Sequence, residues 1–343
     1  MTTQPLLSLP FETFKTILTD ELGLEPYRAK QVWDWLFLRQ ASRFEQMTNL
    51  SKEARAKLSE RFPLIFPVFV DQLRSKDGTR KVVIPVGENE LVEAVAIPGD
   101  EDSDGVTYCL SCQVGCQAGC TFCRTGAMGF KRNLTREEII LQVLSLIRVT
   151  GKKPTNIVFM GMGEPFFNRE AVFGAIDTLT RPEGLALATR RITVSTVGVP
   201  AGIRAFSERP GEVNLAVSLH AADDTTRSRL VPLNKKYPLK KLREAIEEYL
   251  AATNRRVTFE VALLQGVNDG LDNVLNLVQF CEGLLCHVNL IAFNPFPGCG
   301  YKPAPEDAVR EFKKQLKKAG VPVTLRRSKG ADIMAACGQL AGK

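Results

Sequence analysis

From Cys109 to Arg326, short apolar runs alternate with longer stretches of helical periodicity, and few folds accommodate that alternation. The runs that read as strands are Thr107–Gln113, Asn156–Met160, Ile192–Thr196, Val213–Leu219, Val257–Leu264, Val288–Phe293 and Val321–Arg326. Helix-length segments separate them; one opens at Thr135 with a capping box to Glu138, ahead of Ile139, Ile140, Val143, Leu144 and Ile147. Strands joined by helical crossovers pair in parallel. The pattern therefore predicts an α/β fold of six or so βα units, a partial TIM-like (β/α)6 barrel open on one side to admit a macromolecule. Chemistry in such barrels gathers on the loops that follow the strands' C-terminal ends.

Residues 1 to about 90 read differently. Phe11–Gly23 and Tyr27–Arg39 have helical periodicity around the turn Leu24-Glu25-Pro26, and a third helix is expected over Ser51–Arg61. This resembles the helix-hairpin-helix modules that grip nucleic-acid backbones, with Trp33, Trp35 and Phe37 as its core. Two strands, Lys81–Pro85 and Leu91–Pro98, lead into the main domain. The expected division is 1–90 for a helical RNA-binding accessory domain with its linking strands, and 91–343 for the barrel and a C-terminal cysteine segment.

The 343 residues are 44% hydrophobic and 24% charged, as in a soluble globular protein with a sizeable core. No apolar run approaches the ~18 residues of a membrane span, and no signal-like segment opens the chain. A cytoplasmic location is the expectation. Five of nine cysteines crowd between Cys109 and Cys123, which in a reducing compartment reads as metal chemistry rather than disulfides. The net charge of +7 is arranged partly in doublets such as Arg190-Arg191, Lys235-Lys236, Arg255-Arg256 and Arg326-Arg327, which suits a polyanionic partner.

Within that crowd Cys116, Cys120 and Cys123 have CxxxCxxC spacing. Three thiolates fall one short of a closed zinc site, and of the usual four ligands of an iron–sulfur cubane. One open iron would accept an exogenous molecule. A zinc knuckle completed by Cys109 or Cys112, or simple buried thiols, are the alternatives. Further along, Gly163-Glu164 follows one strand and offers backbone contacts with a carboxylate. Ser195, Ser218-Leu219-His220 and Asn294 end others, placing polar groups where a ribose, a carboxylate and an adenine edge could bind. Cys337 lies between small residues after a basic strand, and with Cys109 it could form a transient disulfide.

Taken with Gly129-Phe130-x-Arg132-Asn133-Leu134, Gly161-Met162-Gly163-Glu164-Pro165 and Ala336-Cys337-Gly338-Gln339-Leu340, these motifs resemble the radical S-adenosylmethionine (SAM) RNA adenine methyltransferases over essentially the whole chain. The resemblance implies one 4Fe–4S cluster on Cys116, Cys120 and Cys123, with SAM chelating its fourth iron and held by Gly163, Glu164, Ser195, Ser218, Leu219, His220 and Asn294. It implies methylation of adenine carbon 2 in 23S rRNA, at the peptidyl transferase centre, and in tRNA next to the anticodon. It also gives the reason for a carrier cysteine: carbon 2 is electrophilic and resists polar methyl transfer. Cys337 would be methylated first, a SAM-derived radical would activate that methyl, and Cys109 would release the product as a disulfide forms. Glu93 matches the family's proton acceptor. An electron donor such as flavodoxin or ferredoxin, and a monomeric state, are implied as well. Cys112 stands where serine is common, and is read as a bystander.

Three other readings stay open at this point. Sister enzymes methylate carbon 8 of the same rRNA adenine and share the catalytic cysteines. A radical-SAM maturase would bind an auxiliary cluster through Cys281, Cys286, Cys299 and Cys337, although Cys281 and Cys286 look like core positions of one helix. A zinc-bearing RNA-binding protein would have no SAM chemistry.

Overall fold

The computed structural model describes residues 4–63, 69–100 and 103–342. Three helices lead, α1 (Phe11–Asp20), α2 (Tyr27–Phe37) and α3 (Lys52–Arg61). Pro10 and Pro26 stand just before the first two, where a missing N–H leaves nothing unpaired. Ser51 caps the third by accepting from the Ala54 N–H at 3.1 Å. Trp33 and Phe37 are buried on one face of α2, and the Trp33 ring meets Phe11 edge-on at 4.9 Å. Trp35 departs from the expected core. Two residues round a helix is about half a turn, so it packs at the edge of that core rather than inside it. It is half-buried, donates to Asn49 Oδ1 at 2.6 Å and lies under the Arg39 guanidinium.

Among the described residues twelve strands follow: β1 (Asp71–Arg74), β2 (Arg80–Val86), β3 (Glu90–Pro98), β4 (Val106–Cys109), β5 (Gln113–Gly115), β6 (Phe130–Asn133), β7 (Asn156–Phe159), β8 (Ile192–Thr196), β9 (Asn214–Ser218), β10 (Val257–Leu263), β11 (Cys286–Ala292) and β12 (Val323–Arg326). Ten of them form one sheet, ordered β1-β2-β3-β4-β7-β8-β9-β10-β11-β12, and β5 pairs with β6 alone. From β4 to β12 all neighbours are parallel. β1 to β4 are antiparallel, so the barrel sheet carries a meander on its first edge. Residue 90 falls at the turn of the β2–β3 hairpin, whose strands pair over seven residues.

The remaining helices are α4 (Arg124–Ala127), α5 (Arg136–Thr150), α6 (Arg169–Thr180), α7 (Pro200–Ser207), α8 (Asp224–Leu230), α9 (Leu239–Thr253), α10 (Leu271–Cys281) and α11 (Glu306–Lys318). All lie in the crossovers of the parallel strands, α4 on the connection between β5 and β6. The capping box of α5 forms as expected: the Glu138 N–H donates to Thr135 Oγ1 at 3.2 Å, and Thr135 N–H to Glu138 Oε2 at 2.8 Å. α5 is buried nearly all round because it lies between α6, the β2–β3 hairpin and the turn Leu6–Ser8. One apolar cluster consequently runs from the N-terminal helices into the barrel wall. The sheet curls enough for Arg326, on its last strand, to bring Nη1 within 3.8 Å of the Met160 sulfur at the end of β7.

One strand expectation and one helix expectation needed correction. The run Thr107–Gln113 is not one strand: it breaks after Cys109, where Leu110 bonds to β7 and Cys112 and Gln113 turn to the Met162 carbonyl at 2.8 and 3.1 Å. Cys281 and Cys286 do not share a helix either, since one ends α10 and the other opens β11.

Candidate active site

The cysteine loop is held between the two strands of the β5–β6 hairpin. Its entrance requires glycine: Gly115 has φ +74°, and a Cβ there would stand 1.9 Å from the Gly129 carbonyl oxygen. Beyond Cys116 the loop turns on its own backbone, with the Ala118 N–H directed at the Cys116 sulfur at 3.4 Å and Cys123 N–H donating to the Cys120 carbonyl at 3.2 Å. Across the barrel mouth, Thr121 N–H donates to the Leu230 carbonyl at 2.9 Å. A second apolar cluster, including Ala118, Cys120, Phe122, Leu230, Ile291 and Phe293, surrounds it.

Cys116, Cys120, Cys123, Gly163, Glu164, Ser195, Ser218, His220, Asn294 and Cys337 all line one cleft at the C-terminal ends of the strands. Leu219 does not; it is fully buried behind the cleft, and its N–H donates to the Glu260 carbonyl. Cys109 lines a neighbouring cleft together with Cys337, Met160 and Arg326, so Cys337 lines both. Glu93 lines neither. It is buried on β3 in an ion pair with Lys81 at 3.0 Å, and accepts the Ala341 N–H at 2.8 Å. Cys112 lies in the main apolar core.

Burial sets the electrostatics. It pushes the thiols of Cys109 and Cys116 up to about 12, and those of Cys120 and Cys123 upward as well. Such thiols stay protonated until a positive centre arrives; bound metal deprotonates a coordinating thiol outright. Glu164 is raised to about 7 by burial, against hydrogen bonds from the Phe166 N–H (3.0 Å) and Val197 N–H (2.8 Å). Its remaining lone pairs suit a cationic ammonium. His220 is lowered to about 3 by burial and by the neighbouring Arg227. Its Nδ1 accepts the Ala262 N–H at 3.2 Å, so the neutral ring carries its proton on Nε2. Phe122 packs edge-on against it at 4.6 Å.

Two buried polar atoms of this cavity have no protein partner, Asn294 Nδ2 and Glu260 Oε2. A donor and an acceptor left unpaired on a cavity wall fit a polar ligand. Among the described residues no three His, Cys, Asp or Glu side chains converge on a single point as the ligands of one ion must. A cubane differs, since it takes each thiolate on a separate iron. Three thiols on one wall, with the unpaired Asn294 and Glu260 atoms in the same cleft, suit a cluster with a polar ligand beside it. Cys281 and Cys286 lie in the main apolar core and line neither cleft, whereas Cys337 lines both.

Similarity agrees with the geometry. The radical SAM superfamily model matches residues 110–278, and that of the ribosomal RNA large subunit methyltransferase N-terminal domain matches residues 5–64. The probable dual-specificity RNA methyltransferase RlmN of Thermus thermophilus is 44% identical over 330 residues, covering 95% of this chain and 92% of its own. The dual-specificity RNA methyltransferase RlmN of Magnetococcus marinus is 43% identical, with 98% and 94% covered. The chain belongs to the RlmN family of radical SAM RNA methyltransferases. A crystal structure of a radical SAM methyltransferase from Sphaerobacter thermophilus superposes with TM-score 0.94 at 42% identity, covering 99% of this chain and all of that one. As a member of the RlmN family the chain is a SAM-dependent RNA methyltransferase with a 4Fe–4S cluster. Among the described residues no helix is long and apolar enough to cross a membrane.

Several residues at the site were not singled out from sequence. Arg326 counted only as half of a basic doublet, yet it is attracted by Cys337, Glu260 and Cys109 together. Glu260 did leave a signal, a carboxylate inside the apolar run Val257–Leu264. So did Lys81, which is buried in β2.

Proposed function

We propose that this enzyme methylates carbon 2 of adenine in 23S rRNA, at the peptidyl transferase centre, and in tRNA next to the anticodon. It would work in the cytoplasm as a monomer, with flavodoxin or ferredoxin as electron donor. The observation that supports this most is the position of Cys337. Its thiol borders the cleft of Cys116, Cys120 and Cys123 on one side and that of Cys109 on the other. A methyl carrier that is loaded at one sulfur site and released by a second thiol needs such a double frontage.

Cys116, Cys120 and Cys123 would hold the cluster. Glu164, with the open backbone at Gly163, would take the SAM ammonium; Ser195, Ser218, His220 and Asn294 would orient the nucleoside part, with Leu219 backing that wall. When bound, the cluster supplies the electron for reductive cleavage of SAM. Cys337 displaces a methyl group from another SAM, forming its S–C bond as the sulfonium S–C bond breaks. After carbon–carbon bond formation to the base, Glu93 would receive the carbon-2 proton. Attack of the Cys109 thiolate on the Cys337 sulfur would then form the Cys109–Cys337 disulfide as the S–C bond breaks, and the released carbon would take a proton to become the methyl group of the base. Burial raises the Cys109 thiol to about 12, while Arg326 beside both sulfurs favours the thiolate.

The test is a Cys109→Ala variant, anaerobically reconstituted and incubated with SAM, reductant and RNA. A covalent RNA conjugate through Cys337 is expected to accumulate. Free, fully methylated RNA would overturn the assignment, and mass spectrometry finding the methyl only at carbon 8 would overturn the regiochemistry.

A further inference from the structure

The segment that carries Cys337 has almost no regular structure of its own: a single 3-10 turn at Ala331–Ile333, then irregular backbone to residue 342. Something outside it must fix the sulfur between its two clefts. Part of that hold comes from the cluster loop. The Arg124 N–H donates to the Gly338 carbonyl at 2.8 Å, and Thr125 Oγ1 to the Leu340 carbonyl at 2.6 Å. Gln339 Nε2 adds a bond to the Pro295 carbonyl at 2.8 Å, and Asp332 at the start of the segment accepts from Ser75 Oγ and the Lys76 N–H. The β2–β3 hairpin contributes one further pair of side chains, which reaches both flanks of Cys337.

Lys81 on β2 and Glu93 on β3 point to the same side of the sheet from diagonal positions, since Lys81 pairs with Val95 and Glu93 with Val83. Their side chains are 4% and 1% exposed. Burying two charges is costly unless every polar atom finds a use. Here each side chain is used on the tail as well as on its partner. Lys81 Nζ donates to the Met334 carbonyl at 3.2 Å, three residues before Cys337. Glu93 Oε2 accepts the Ala341 N–H at 2.8 Å, four residues after it, while Oε1 faces Lys81. The pair therefore grips the segment on both flanks of the reactive cysteine.

We infer that Lys81 is a positioning residue, and that the Lys81–Glu93 pair is the latch that seats the Cys337 segment between the two clefts. This rests on the reading of Cys337 as the methyl carrier. With both carboxylate oxygens engaged and neither cleft reached, Glu93 meets a substrate proton only after the Ala341 contact opens. The latch thus links the seating of the tail to the availability of its base.

The latch is read by the reactivity of Cys337 towards N-ethylmaleimide in anaerobically reconstituted enzyme, resolved by peptide mass spectrometry, with no RNA or SAM present. Lys81→Met is expected to speed alkylation of Cys337 about tenfold, equivalent to about 1.4 kcal/mol of local opening, while Cys281 and Cys286 keep their rates. Lys81→Arg, which keeps the charge, is expected to return Cys337 close to the parent rate. A second variant loosens the tail without touching the charges. Gly342 has φ +61°, and a Cβ there would come within 2.2 Å of the Leu91 carbonyl oxygen, so Gly342→Ala must lift the end of the tail off β3 and give the same selective gain. If Lys81→Met fails to fold, Gly342→Ala alone decides. Unchanged Cys337 reactivity at parental iron content, or equal acceleration of all cysteines, overturns the latch. Either result leaves the Cys109→Ala test of the carrier role standing, because that test reads RNA and this one does not.

Discussion

His220 holds an unusual backbone, φ +59°, and a largely buried ring on the cleft wall. Asn268 donates to its carbonyl at 2.7 Å, so main chain and ring are both fixed. The cost of that placement is visible in pH. Burial, with Arg227 nearby, lowers the imidazole to about 3 from 6.5. Above 6.5 the ring is neutral in both folded and unfolded chains. As pH falls below 6.5 the unfolded chain takes a proton that the folded one refuses until about 3, so stability is lost over that window. The apoprotein should lose about 2 kcal/mol between pH 7.5 and 5 on this account, and His220→Gln should be spared about that much in parallel denaturant titrations. Equal losses would mean that the ring is not held neutral. The sequence disclosed His220 as a polar residue at a strand end, but not its protonation, which is set by Arg227 and by the wall around it. The same holds for Glu93. Its match to a motif was legible, whereas its partner Lys81 lies on another strand and its other partner near the chain's last residues.

Elements were legible where the chain's periodicity is its own reason for folding. The α5 capping box, the three N-terminal helices and the parallel strands follow from patterns confined to a few residues each. β1 and β6 escaped because Asp71-Gln72-Leu73-Arg74 and Phe130-Lys131-Arg132-Asn133 carry no apolar alternation; both are largely exposed and exist only because a neighbour offers hydrogen bonds. The β5–β6 hairpin matters all the same, since it brackets the cysteine loop. Its closure depends on Gly115, where the backbone is left-handed and the Gly129 carbonyl leaves no room for a side chain. Gly115→Ala should cost about 1–3 kcal/mol from backbone strain alone. It should also open the bracket, so that reconstituted protein holds clearly less iron per chain than the parent. Parental iron content in a folded Gly115→Ala variant would show that the hairpin is dispensable for cluster retention.

At the scale of the whole molecule the two ends of the barrel differ in chemistry. The C-terminal end presents sulfur and apolar cover. Towards the N-terminal ends of the strands the interior is polar: Asn156, Thr193, Asn214, Thr258 and Asn289 line a cleft with Arg190, Arg191, Arg255, Arg256 and Arg326, against the carboxylates of Glu212 and Glu260. Nothing in the doublets of the sequence separated these arginines from ordinary solvated ones; the strand order did, by bringing the starts of β8 and β10 to one opening. The excess of guanidinium there suits the phosphates of a polyanion such as RNA. Each phosphate contact releases counterions, so removing one should weaken binding most at low salt and flatten the dependence of log Kd on log salt by about 0.7–0.9. Arg191→Ala and Arg256→Ala are the variants to measure, by fluorescence anisotropy of a labelled substrate RNA across a salt series. Both should show the flatter slope with little change in preference among bases beside the target, because backbone contacts position RNA without reading its sequence. A slope equal to the parent's in both variants would assign these arginines to the protein's own solubility and place the path of the RNA on another face.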